Sequence, residues 1–346
     1  MDAPQVQYVR TSDGYDIAYF VSGHGRPLVM TWNPFFTNIE LMWSWGPTRR
    51  LFEAIASRFT LVQFDHRGTG NSTRGLKAGH SQERYQLDLE AVIERTGLNN
   101  FILFGMTEGT HASTIYASRH PEKVDGLVLW NPQVMAWSVL HQWESVYTDS
   151  WDMFQTSLAR TFLRQGPSDR QSTTSPGQSF RQNTTQADFL LVARALAASD
   201  VEELLPSVRM PTLVMVTRKP VWPGLLDAAR TFASLIPKTG LVLFDEPRME
   251  AIYSESGPPA VMPVIEAFVA ELPETDPVPG TLGGSPDALS EREVEVLRLV
   301  AAGQLHIRTR IIAQAPCLSR PRCTVCRFYK PTDSCSLTHQ CSSHPY

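Results

Sequence analysis

No cysteine occurs before Cys317, so the body of this chain has no thiol from which to build a disulfide framework and must be held by a packed core. No run of apolar residues approaches the roughly 20 needed for a bilayer-spanning helix, which argues against a membrane anchor. Between His141 and His306 the sequence has no histidine, so the side chain most often used to move protons is missing from that whole stretch. The first residues, Met1-Asp2-Ala3-Pro4-Gln5, lack the basic and apolar regions of a secretory leader, which points to the cytoplasm.

What is present is an ordinary globular composition, with 42% hydrophobic and 19% charged residues in a chain of 346. That length exceeds one typical domain and implies a large domain with a small appendage. The charge divides the same way. Residues 289–346 carry 8 of the 31 Lys and Arg but only 4 of the 35 Asp and Glu, a basic end on an acidic body that suits nucleic-acid contact.

Along the chain, Gln7 to Arg10 and Asp16 to Val21 flank Ser12-Asp13-Gly14, the pattern of a β-hairpin. Short apolar runs at Pro27 to Thr31, Phe59 to Phe64, Asn100 to Phe104, Gly126 to Trp130, Thr212 to Val216 and Gly240 to Phe244 read as strands of a parallel sheet buried on both faces. Helical stretches lie between them, around Arg49 to Arg58, Tyr85 to Thr96 and Glu108 to Arg119, and a last helix runs from about Pro258 to Leu272. Repeated βα units predict an α/β fold with a mostly parallel, doubly wound sheet. Residues 133 to about 205 break the rhythm, with Trp137, Trp143, Trp151 and Phe154 at helical spacing, and read as a helical cap. The expected organisation is a domain over 1–272, a Pro/Gly linker over 273–288, a helix over 289–303 and an irregular tail over 304–346.

Three ordered segments resemble the α/β-hydrolases: Asp65-His66-Arg67-Gly68-Thr69-Gly70-Asn71-Ser72, then Phe104-Gly105-Met106-Thr107-Glu108-Gly109, then Arg119-His120-Pro121-Glu122-Lys123-Val124. The resemblance implies a nucleophile elbow with Thr107 where the family carries serine. It also implies a histidine after the last strand, where this chain has Asp245-Glu246-Pro247-Arg248-Met249, and an acid after the preceding strand, where Thr217-Arg218-Lys219-Pro220 stands. Asp227 and Glu246 are acids with no histidine to orient. On the oxyanion side the loop reads Trp32-Asn33-Pro34-Phe35, and Pro34 removes an N–H donor. His111 lies one helical turn after Thr107 and is expected to pack along the helix and not reach across to the hydroxyl.

With no imidazole to take its proton, Thr107 is expected to be inert and the cleft to bind a ligand. Trp32, Asn33, Phe35, Met106, Thr107 and Glu108 are the expected ligand-binding floor, suited to a small apolar or aromatic molecule, with no cofactor and no metal. Beyond the linker, the stretch from Leu289 to Gly303 resembles the first helix of LuxR-type helix-turn-helix domains, with Ser290 and Glu293 as a capping box. The resemblance implies a regulator of transcription that binds DNA, with Arg292 and Arg298 as its remaining contacts and a homodimer as its form. The rest of that domain is not recognisable. From Gln304 the chain turns into a Pro/Cys/Ser/Arg mixture, the look of a shifted reading frame, and Cys323-Thr-Val-Cys326 lacks the second pair that a zinc site needs. The expected function is therefore a non-catalytic ligand sensor with an incomplete DNA-binding output. Two alternatives are an active esterase-like hydrolase using Thr107 and a decayed copy without function.

Overall fold

A computed structural model describes residues 4–35, 37–133, 148–156, 183–218, 220, 224–245 and 257–273. The chain divides between Ser285 and Pro286, and every described residue lies in the first unit. The expected linker beyond Pro273, the LuxR-like helix with Arg292 and Arg298, and the cysteine-bearing tail fall outside the described residues.

Eight strands form one sheet: β1 (Gln7–Arg10), β2 (Asp16–Gly23), β3 (Pro27–Thr31), β4 (Thr60–Phe64), β5 (Phe101–Met106), β6 (Val124–Trp130), β7 (Thr212–Thr217) and β8 (Thr239–Phe244). Their spatial order is β1-β2-β4-β3-β5-β6-β7-β8. The β1–β2 and β2–β4 pairs are antiparallel and the rest are parallel, so the mostly parallel sheet expected from the sequence is present. Every residue of β3, β4, β5 and β7 is buried, which is why these strands read as unbroken apolar runs.

Helices cover both faces. On one side α1 (Ile39–Ser44), α2 (Gly46–Ala56) and α7 (Gly257–Ala270) pack over Leu28, Met30, Phe104 and Met215. On the other, α3 (Gln82–Thr96), α4 (Gly109–Arg119), α5 (Gln186–Ala197) and α6 (Leu225–Leu235) cover Val29, Leu103, Leu127 and Val214. Two short helices escaped the sequence reading. Helix α1 is capped by Asn38, which accepts the Leu41 N–H at 3.0 Å, but is only six residues long, and α6 begins at a left-handed Gly224 without a side-chain cap.

The loop after β4 is the most heavily tied part of the fold. Arg67 is fully buried; its Nε donates to Asp88 at 2.7 Å, and its terminal nitrogens donate to Asp13 at 2.6 and 3.0 Å. The guanidinium also lies 4.5 Å above the Tyr15 ring. One side chain thereby fastens the β1–β2 turn and α3 to the loop. Asp65, also buried, accepts the N–H of Ile39 at the start of α1 and that of Asn71, both at 2.9 Å, and burial pushes its carboxyl up to about 7. A side chain on Gly70 would collide with that carboxylate.

The described part of the cap region, residues 148–156 and the stretch leading into α5, sits on this loop. Asn183 carbonyl accepts from Gly70 at 2.9 Å and Thr184 donates to Gly68 carbonyl at 2.8 Å. Trp151, Phe154 and Phe189 form an aromatic cluster with ring centroids 5.1 to 5.6 Å apart. Trp137 and Trp143 lie outside the described residues. Among the described residues no helix is long and apolar enough to cross a membrane.

Candidate active site

Strand β5 ends at Met106 and α4 begins at Gly109, leaving Thr107 and Glu108 to make the whole turn. Thr107 adopts φ +50°, a left-handed conformation that a β-branched residue rarely takes. Its N–H is held by the Trp130 carbonyl at 2.9 Å, and its carbonyl accepts from the Thr110 N–H at 3.1 Å. The glycines on either side are required by space: a Cβ on Gly105 would stand 2.6 Å from Ser113 Oγ, and one on Gly109 would run into the Thr31 carbonyl. Such crowding forces the strand directly into the helix and lifts Thr107 to the carboxyl edge of the sheet, where it stays partly exposed.

Glu108 is buried beside it, 4% exposed. Its carboxylate accepts from Asn33 Nδ2 on the loop after β3, and from Gln133 Nε2 after β6 at 3.3 Å. Burial raises its pKa above the usual carboxylate value, and the hydrogen bond from Gln133 opposes that rise. Asn33 is itself oriented, its Oδ1 accepting the Phe35 N–H at 2.9 Å. The ends of β3 and β6 thus converge on the carboxylate that follows β5.

His111 does not join them. It is fully buried, with Nδ1 3.0 Å from Ser199 Oγ and Nε2 2.8 Å from the Gln133 carbonyl, and desolvation pushes its pKa down to about 4. The positions where the resemblance implies the acid and the histidine are bridged by an exposed ion pair, Arg218 Nε to Asp245 at 2.8 Å. Glu246 lies outside the described residues, and Asp227 is on α6, paired with Arg230 on the surface.

The residues expected to floor the cleft separate into two groups. Asn33, Thr107 and Glu108 are brought together as described. Phe35 is packed against Phe189, ring centroids 4.6 Å apart, and Met106 is buried in the sheet, so these two serve the core. Trp32 lies edge-on to Phe52 at 5.7 Å and keeps part of its surface exposed. Sequence reasoning missed Gln133, whose only signal was its place just after a strand end.

Residues 24–165 match the family model for the alpha/beta hydrolase fold. The domain has the α/β-hydrolase fold. A putative carbamate hydrolase, RutD, from Caulobacter sp. (strain K31) is 34% identical over 87 residues, covering 25% of this chain and 31% of that protein. A proline iminopeptidase from Neisseria meningitidis is 31% identical over 109 residues, covering 29% and 35%. The chain spans about a third of the length of these relatives. The crystal structure of an enol-lactonase from Burkholderia xenovorans superposes with a TM-score of 0.62 at 18% identity, over 77% of this chain and all of the other, a likeness of fold.

These findings correct the functional expectation. A non-catalytic, ligand-sensing transcription regulator of LuxR type does not stand, because the relatives that the domain matches are enzymes, hydrolases among them.

Proposed function

We propose that this domain is a hydrolase of ester-type acyl bonds, with Thr107 as the nucleophile. The observation that carries the reading is the elbow: a threonine held at φ +50° between two glycines that tolerate no side chain, with its hydroxyl at the carboxyl edge of the sheet. A fold accepts a left-handed β-branched residue, at a cost of about 1–3 kcal/mol, only where the surroundings over-determine it, and such strain concentrates at reacting positions. The hydrolase relatives support the same reading.

In the reaction Thr107 Oγ1 attacks the substrate carbonyl carbon, the leaving alcohol departs, and water then releases the acid from the acyl-threonine. The oxyanion is met by the backbone N–H of Glu108, the residue after the nucleophile. Pro34 has no N–H to give, so the second donor falls to the Asn33 side chain. Trp32, partly exposed beside Asn33, favours an apolar or aromatic group on the substrate.

The test is turnover of short-chain nitrophenyl esters by the full chain and by Thr107→Ala. Loss of turnover in the variant, with a melting temperature no lower than that of wild type, is the expected result. Equal rates in the two proteins would remove Thr107 from the chemistry.

A further inference from the structure

We infer that Asn183, in the stretch of the cap that leads into α5, is a positioning residue for the Asn33 amide, so that the oxyanion donor is aimed from the cap. The inference rests on Thr107 as the nucleophile and Asn33 as a donor to the oxyanion, and it names the group that holds that donor in place.

The path of contacts begins at the elbow. Asn33 Nδ2 donates to the carboxylate of Glu108, the residue after Thr107, which brings the amide to the strand end where an oxyanion would form. The oxygen of the same amide is fixed by Phe35, whose N–H donates to Asn33 Oδ1 at 2.9 Å. Pro34 stands between the two with its φ locked by the ring, so the Asn33 amide and the Phe35 peptide are held as one piece. Phe35 is in turn held from the cap side in two ways. Asn183 Nδ2 donates to its carbonyl at 2.8 Å, and the Phe189 ring of α5 packs 4.6 Å from its own ring. Asn33, Phe35 and Asn183 are all buried, which makes each of these hydrogen bonds stronger than it would be in water.

Seating the cap does not require this side chain. The Asn183 carbonyl already accepts the Gly70 N–H at 2.9 Å, Thr184 Oγ1 donates to the Gly68 carbonyl at 2.8 Å, and Thr184 forms a β-bridge with Thr69. The side chain also carries a burden. Asn183 is 2% exposed, and its Oδ1 has no hydrogen-bond partner among the described residues. An unpaired buried acceptor opposes folding, so an amide here is explained by what its nitrogen does and not by stability. Turning the amide over would set Oδ1 against the Phe35 carbonyl oxygen, so the direction of the donation is forced. What it accomplishes is to fix the Phe35 peptide and, through it, the Asn33 amide. Because an oxyanion donor works on the transition state, a misaimed Asn33 lowers kcat and leaves substrate binding nearly as it was.

Hydrolysis of p-nitrophenyl acetate by wild type, Asn33→Ala, Asn183→Ala and the double variant tests this, with Thr107→Ala beside them. Asn33→Ala should lower kcat by about 100-fold or more, the usual cost of one lost oxyanion donor. Asn183→Ala should lower kcat by about 10- to 100-fold with little change in KM, as a misplacement of about 1 Å does. In the Asn33→Ala background Asn183→Ala should cost no further activity, because its effect passes through the amide already removed. Binding of phenylboronic acid, a tetrahedral mimic, should weaken in step with kcat. Asn183→Ser keeps a hydroxyl donor and should recover part of the lost rate, and it takes the place of Asn183→Ala in the cycle if the alanine variant does not fold. Asn183→Ala at the wild-type rate, or an equal loss from either Asn183 variant with and without Asn33, would overturn the positioning role and leave Thr107 and Asn33 standing. A wild-type rate in Asn33→Ala would remove the donor and this inference together while leaving Thr107. Turnover in Thr107→Ala would overturn the proposed function itself.

Discussion

At the scale of single residues, the methyl of Thr107 is the oddest atom in the site. A serine would reach the same φ of +50° with less crowding, so Thr107→Ser should stabilise the domain by about 1 kcal/mol and keep ester turnover. Urea melts and nitrophenyl ester rates check this, and a variant that is both less stable and inactive would contradict the strain argument. Gly109 gives the opposite case. Any side chain there meets the Thr31 carbonyl, and backbone cannot swing aside, so Gly109→Ala should lose at least 1–3 kcal/mol by about the usual cost of overpacking, and turnover with it. A Gly109→Ala protein with wild-type rates would show that the elbow is looser than described.

At the scale of elements, the loop after β4 is held by charges out of reach of water. Removing one partner of a buried pair leaves the other uncompensated, at a cost of about 3–5 kcal/mol. Asp88→Ala should therefore lower the urea midpoint by that equivalent, since Arg67 and Asp88 are both fully buried, while the exposed pair Arg10–Asp16 should be nearly silent when broken. Equal effects from the two changes would refute the assignment. The strands were legible in the sequence to within two or three residues, because a run such as Thr212 to Val216 buried on both faces has no other reading. The cap was legible only as a break in rhythm. Helix α6 was not legible, since Gly224 starts it without a capping side chain, and packing of Phe232 and Ala229 onto the sheet supplies what the cap does not.

At the scale of the whole molecule, the elbow could be read from Gly105-Met106-Thr107-Glu108-Gly109, but the partners of Glu108 could not. Asn33 and Gln133 are 75 and 25 residues away from it and meet it only because β3 and β6 flank β5 in the sheet. Burial of His111 has a global consequence. Its pKa lies near 4 in the fold against an ordinary 6.5, so the unfolded chain binds its proton first, and the stability it contributes is complete above about pH 6.5 and lost as pH falls toward 4. Asp65, raised to about 7, acts with the opposite sign, contributing below its ordinary 3.8 and losing that contribution as pH rises toward 7. Urea midpoints of wild type and His111→Gln, compared between pH 4.5 and 7.5, separate the two, and the gap between the proteins should widen toward high pH. A gap that does not change with pH would mean His111 is not held neutral by the fold.

The acyl-threonine itself offers the most direct measurement. Wild-type protein mixed with a nitrophenyl ester, quenched in acid during turnover and digested, should carry the acyl mass on the peptide containing Thr107 and at that residue. Release of nitrophenol at the enzymatic rate with Thr107 unmodified, and an acyl group found on another side chain or on none, would contradict the assignment of Thr107 as the nucleophile.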